Sequence, residues 1–146
     1  MPTPFESAQL ILSLYESRRE EKMRKARDFF ASFDPKSFED LIAQMSGPEG
    51  VYFRMVVSYW DMAASFVENG AIDRQMFIDA NGEFLVVFGK VEPFLGQLRE
   101  MFANPGFAAS LEKLVHSVPG YRARIDAVLA RIREMIARRA AAAAKA

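Results

Sequence analysis

The chain has 146 residues, 51% of them hydrophobic and 26% charged, with a formal net charge of zero. That is one domain's worth of chain, long enough to bury roughly two-thirds of its unfolded surface, and the composition excludes a disordered protein. Cysteine is absent, which removes disulfides, thiolate metal sites and cysteine nucleophiles and fits a reducing, cytoplasmic setting.

The opening Met1-Pro2-Thr3-Pro4-Phe5-Glu6 lacks a basic, apolar leader pattern. The longest stretch free of charged side chains, Met101 to Leu111, is too short to span a bilayer. A soluble, unprocessed protein with one domain over residues 1–139 is the expectation, followed by a frayed alanine tail over 140–146.

Prolines mark where helices begin. Thr3-Pro4-Phe5-Glu6 combines a capping threonine, proline at the first helical position and a glutamate placed for a capping box. The first predicted helix runs from Pro4 to Ser32, with Phe5, Ala8, Leu12, Tyr15, Met23, Ala26, Phe30 and Phe33 inward. Its charged middle, with Glu20 to Arg24 and Glu21 to Lys25 four apart, reads as a solvated face. Asp34-Pro35 opens a short second helix to Met45, which Gly47-Pro48-Glu49-Gly50 breaks.

From Val51 to Phe102 the pattern predicts two long amphipathic helices folded back on each other. The first arm ends at Glu68 and points Tyr52, Met55, Val56, Tyr59, Ala63 and Phe66 inward. The second begins at Asp73 and uses Phe77, Ala80, Phe84, Val87, Phe88 and Val91. Pro93 interrupts this arm, and a kink between Gly89 and Pro93 is predicted, because a mid-helix proline clashes with the carbonyl of Gly89 and glycine can relax there. A fifth helix follows from Pro105 to Val118. A sixth runs from Pro119 into the alanine tail, its stripe being Ile125, Val128, Leu129, Ile132, Met135 and Ile136. The fold class is therefore all-α, a single-domain antiparallel bundle of about six helices.

Chemistry-bearing residues are sparse. His116 is the single histidine, with Glu112 four residues before it on one helical face. Asp61 and Glu68 are seven apart and Asp79 and Glu83 four apart, so an antiparallel hairpin could gather them on a divalent cation. Asp61 and Glu68 lie off the main apolar stripe, and for both like-charged pairs solvation or pairing with Arg54 or Arg74 is the plainer role. Asp79-Ala80-Asn81-Gly82-Glu83 resembles a calcium-loop fragment, but helical periodicity on both sides predicts continuous helix. Tyr59 and Trp60 belong with Phe77, Phe84 and Phe88 to an aromatic core, its hydroxyl and indole N–H directed to polar neighbours. A small-molecule pocket near Trp60, including His116 and these carboxylates, is the minority reading. Glycines 82, 89 and 96 are seven apart along one face, where they could allow close helix approach.

The zero net charge conceals a segregation. Residues 34–120 hold twelve acidic and six basic side chains, a net of −6, whereas residues 121–146 hold seven basic and two acidic, a net of +5. Arg124, Arg131 and Arg138 recur every seven residues on one flank of the last apolar stripe, with Arg122 and Arg133 on the other. Such a basic amphipathic helix can dock on an acidic body, meet an anionic membrane surface or nucleic acid, or pair in a dimer.

From Tyr59 to Asp73, closing on Asn69-Gly70-Ala71-Ile72-Asp73, and again at Val91-Glu92-Pro93-Phe94 and Leu98-Arg99, the chain resembles a group of short bacterial all-α proteins known as domains of unknown function. Leu14 to Arg19 and Ala26-Arg27 are similar too, so the likeness spans most of residues 8–115. It implies the fold and transfers no catalytic residue. Some relatives in that group carry an N-terminal membrane segment, for which Ser7 to Tyr15 is too short here. No cofactor is implied. The catalytic inventory points away from an enzyme and towards a cytoplasmic protein working through protein contacts, as a homo-oligomer or adaptor.

Overall fold

A computed structural model describes all 146 residues, which form nine α-helices and one 3-10 turn without strands. The all-α expectation holds, but six helices is an undercount, because two predicted helices are divided. The first yields α1 (Pro4–Ser17) and α2 (Glu21–Ser32). The capping box forms as expected: the Glu6 amide donates to the Thr3 hydroxyl at 3.2 Å, and the Thr3 amide donates to the Glu6 carboxylate at 2.8 Å. The break follows because the Glu20 carboxylate accepts from the Met23 amide at 3.0 Å, making Glu20 a second N-cap.

That break lets α1 take its own orientation. Met23, Ala26, Phe30 and Phe33 are buried as expected, but the α1 half of the stripe is corrected. Ser7 and Leu14 face the core, while Phe5, Leu12 and Tyr15 are exposed. Two tertiary hydrogen bonds fix this choice. The Ser7 hydroxyl accepts from the Asp73 amide at 2.9 Å, and the Tyr59 hydroxyl donates to the Leu14 carbonyl.

Ser37 caps α3 (Phe38–Met45), which starts three residues later than Pro35 suggested. Next, α4 (Gly50–Glu68) starts against the end of α3: a Cβ on Gly50 would lie 1.7 Å from the Met45 carbonyl oxygen, so this turn admits only glycine. The packing of α4 is chiefly on α2 and on residues 109–116, a helix late in the chain, and less on the hairpin arm that directly follows it. Sandwiched in this way, α4 buries Phe53, Val57, Trp60, Ala64 and Val67 in addition to Val56, Tyr59 and Ala63, whereas Phe66, expected inside, is exposed. The Trp60 N–H was expected to find a polar neighbour. It is buried without an acceptor, and the Arg18 guanidinium lies over its ring at 5.3 Å.

The second hairpin arm is also corrected. It divides into α5 (Arg74–Ala80), α6 (Glu83–Val91), a 3-10 turn (Glu92–Phe94) and α7 (Leu95–Met101). At the first break, the Asn81 side chain donates to the Phe77 carbonyl at 3.1 Å and accepts from Arg18 at 3.0 Å, ending α5 and leaving Ala80 exposed. Asn81 and Gly82 are thus non-helical, against the continuous helix expected there. Pro93, having no N–H, sits inside the 3-10 turn Glu92–Phe94, so the α-helix is interrupted at the proline end of the predicted Gly89–Pro93 span.

Gly89 has a different task. A Cβ there would meet Ile125 Cγ2 at 2.6 Å and Leu129 Cδ1 at 3.1 Å, so its absence lets α9 (Tyr121–Ala144) lie directly on α6. Gly82 and Gly96 have no such neighbour. Before it, α8 (Ala109–His116) begins later than Pro105, after a turn in which Ala103 and Ala108 adopt positive φ. Ala108 has no capping side chain, and Asp61 of α4 replaces it by accepting from the Leu111 amide at 2.9 Å. α9 is helical to Ala144, its last residues exposed. No helix is long and apolar enough to cross a membrane.

Candidate functional site

A cleft of about 950 Å³ opens between α2, α6 and α9. Each helix contributes residues spaced three, one and three apart: 24, 27, 28 and 31 on α2; 83, 86, 87 and 90 on α6; 132, 135, 136 and 139 on α9. That spacing is one helical face over two turns. The floor is apolar, built from Val86, Val87, Ile132, Met135 and Ile136, and the walls carry charge.

Most of the charge is already paired. Arg27 and Glu83 bridge α2 to α6 in a fork, with donor–acceptor distances of 3.1, 3.1 and 2.8 Å. Hydrogen bonding to Glu83 pushes the Arg27 guanidinium above its ordinary range against the opposing effect of burial. Lys25 pairs with Glu21 at 3.3 Å on the surface. Arg24, Arg139 and Asp28 have no ion-pair partner.

Lys90 is 4% exposed. Its ammonium donates to the carbonyls of Phe30 and Ala31 at 2.7 and 3.1 Å, satisfying acceptors that the end of α2 leaves open. Burial pulls this lysine down from 10.5 to about 8, an effect that Asp34 opposes and Arg133 reinforces. The amine is therefore held in the folding machinery, and Glu83 on the same face of α6 is committed to Arg27. The cleft thus combines an apolar floor with charged walls whose Lys90 and Glu83 are engaged and whose Asp28 is not.

The residues singled out from sequence lie apart from one another. Of Tyr59, Trp60, Asp61, Glu68, Asp79, Glu83 and His116, only Glu83 borders the cleft. Each carboxylate has its own partner: Asp61 caps α8, Glu68 bonds Arg74 at 2.6 Å, and Asp79 accepts from Gln75 at 2.8 Å. No cluster of three or more His, Asp or Glu side chains is placed to hold a metal ion. Glu112 is taken by Arg99 at 3.1 Å, and exposed His116 stacks on Tyr121 at 4.9 Å between ring centres.

The arginines of α9 divide. Arg122 grips both Glu92 oxygens at 2.6 Å, Arg133 reaches Asp34 at 3.0 Å, and Arg138 pairs within the helix with Glu134. Arg124 and Arg131 are exposed and free of ion pairs. Sequence reading missed the cleft because each helix was assigned a single inward stripe. The signal present was Val86 outside the assigned stripe of α6, and the extension of the α9 stripe through Ile132, Met135 and Ile136 beyond what one neighbour covers, beside regularly spaced charges.

Residues 4–118 match a family model described as a domain of unknown function, a span that takes in α1 to α8 and stops before α9. Comparison with curated proteins and with solved structures gave no match.

Proposed function

The chain belongs to the family described as a domain of unknown function, DUF4760, and we propose that it acts as a non-enzymatic helical protein that associates with a second copy of itself through α1. The supporting observation is the uncovered stripe of Phe5, Leu12 and Tyr15, which are 70%, 62% and 46% exposed. Single exposed apolar side chains are ordinary, but these three recur at helical spacing on one face. A second copy suits the charge on α1. Arg18 at its end is turned inward to Asn81 and Trp60, and Arg19 is paired with Glu16 at 3.1 Å, so the face offers no unpaired cation to an apolar partner. Two copies laid antiparallel set their apolar stripes together and opposed helix dipoles side by side, in a two-fold contact. The cysteine-free sequence supports a cytoplasmic location.

Sedimentation velocity across the micromolar range tests this reading. A dimer is expected, and Leu12→Glu should return it to monomer with its helical circular dichroism and cooperative unfolding retained, its thermal midpoint losing only the part that depends on protein concentration. A strict monomer, or a dimer indifferent to Leu12→Glu, overturns it.

A second reading, contact with an anionic membrane surface or nucleic acid, draws support from free Arg124 and Arg131 on the outer flank of α9. It requires salt-sensitive binding to anionic liposomes or duplex DNA that Arg124→Glu with Arg131→Glu abolishes. Binding that ignores both salt and those changes removes it.

A further inference from the structure

We propose that the cleft between α2, α6 and α9 binds a free single-chain anionic amphiphile of the fatty-carboxylate class, its head group held by Arg24 and Arg139 and its hydrocarbon laid along Val86, Met135 and Ile136. The volume of about 950 Å³ is that of a small-molecule site.

The register of the three helices places the two arginines at one end. Arg27 pairs with Glu83 and Ala31 with Lys90, so α2 and α6 run side by side in the same sense. Arg122 meets Glu92, Ile125 and Leu129 cover Gly89, and Ile132 to Arg139 line the cleft with Glu83 to Lys90, so α9 runs the other way. From Leu129 to Arg139 is about 15 Å of helix, and from Gly89 back to Glu83 about 9 Å, which carries Arg139 one turn beyond Glu83. Arg24 lies one turn, about 5 Å, before Arg27 and therefore arrives at the same level.

Helical rise thus brings two guanidiniums, neither in an ion pair, towards the same end of the trough, where Glu21 is already paired with Lys25. Lys90 closes the other end, fastened to the end of α2. The rest of the lining is apolar, Phe30 and Ala31 included, apart from the mutually neutralised Arg27–Glu83 and Lys25–Glu21 pairs and Asp28. The unpaired Asp28 is one carboxylate against two free guanidiniums and a buried ammonium, so the cleft stays positive. An apolar strip with cations at its end selects a chain with an anionic head over a neutral or cationic one. Two of the three helices of the site, α2 and α6, lie within the residues matched by the family model, and α9 lies after them.

Titration calorimetry with dodecanoate below its micellar concentration tests the proposal on the full chain. Saturable binding of one equivalent is expected, weakened at least about tenfold by Arg24→Glu with Arg139→Glu, and weaker for 1-dodecanol than for dodecanoate. Both arginines lack ion-pair partners, so that double variant should retain the wild-type thermal melt. Val86→Trp should fill the trough and block binding. If it fails to fold, the arginine variant alone decides. Absence of saturation, equal affinity for 1-dodecanol, unchanged affinity in the double variant, or adsorption to phosphatidylglycerol vesicles in place of monomer binding would each overturn the proposal.

Discussion

Lys90 of α6 donates from its buried ammonium to the main-chain carbonyl of Phe30 at 2.7 Å, with Ala31 sharing the cation at 3.1 Å. A helix end normally finds its acceptors' partners in nearby chain or water, but α2 finds them in a side chain about sixty residues away. Asp61 does the converse for α8, offering a carboxylate to the Leu111 amide at 2.9 Å. Both helix ends are thereby tied to the core they border.

Lys90 should make stability rise with pH in a defined window. Its folded value is lowered from 10.5 to about 8, so between those values the unfolded chain holds a proton that the folded chain has released. Stability therefore rises from about pH 8 to about pH 10.5, by at most about 3 kcal/mol for a shift of that size, and the destabilising contribution is complete below the lower value. Chemical denaturation of wild type and Lys90→Met across that range should show the rise in wild type and its loss in the variant.

Gly89→Ala should loosen the seat of α9. The new Cβ would meet Ile125 Cγ2 at 2.6 Å, and overpacking of this kind costs about 1–3 kcal/mol. Ile125→Ala removes the opposing methyl. In a double-mutant cycle the pair should therefore cost less than the sum of the single changes.

Asp61→Ala should destabilise by about 0.5–2 kcal/mol, the usual value of a capping side chain. Asp61→Asn keeps an oxygen acceptor and should recover much of the loss. Denaturant midpoints of the three proteins give the comparison, and a loss equal in both variants would show that the cap is not what Asp61 contributes.

Arg133→Ala should remove an acid-sensitive contribution. Burial raises the Asp34 carboxyl, but Arg133 and Lys36 outweigh it and hold the group below its ordinary range. This stabilisation is complete above the unfolded value of about pH 4 and disappears as pH falls through the lower folded value. The stability gap between wild type and Arg133→Ala should accordingly narrow below about pH 4, which denaturation at stepped pH will measure.

Local chemistry was read correctly where the cause was local. Thr3, Pro4 and Glu6 predicted the start of α1, and the spacing of Phe77, Phe84, Val87 and Phe88 identified buried positions, because capping and helical periodicity act within a few residues. Asn81 shows where that reading stops. Periodicity ran through it, yet Arg18, sixty-three residues away, shares in ending α5 there.

The sequence by itself determined an all-α protein with a full apolar core, a basic last helix and no readable catalytic set, since composition and helical period depend on each residue and its near neighbours. Which face of α1 is covered, what Gly89 is for, which arginines remain free and where a cleft opens were decided by tertiary structure. Those outcomes depend on how α2, α6 and α9 meet. A helix such as α6 carries more apolar and charged positions than one neighbour can cover, and only packing selects which of them are buried, paired or left open.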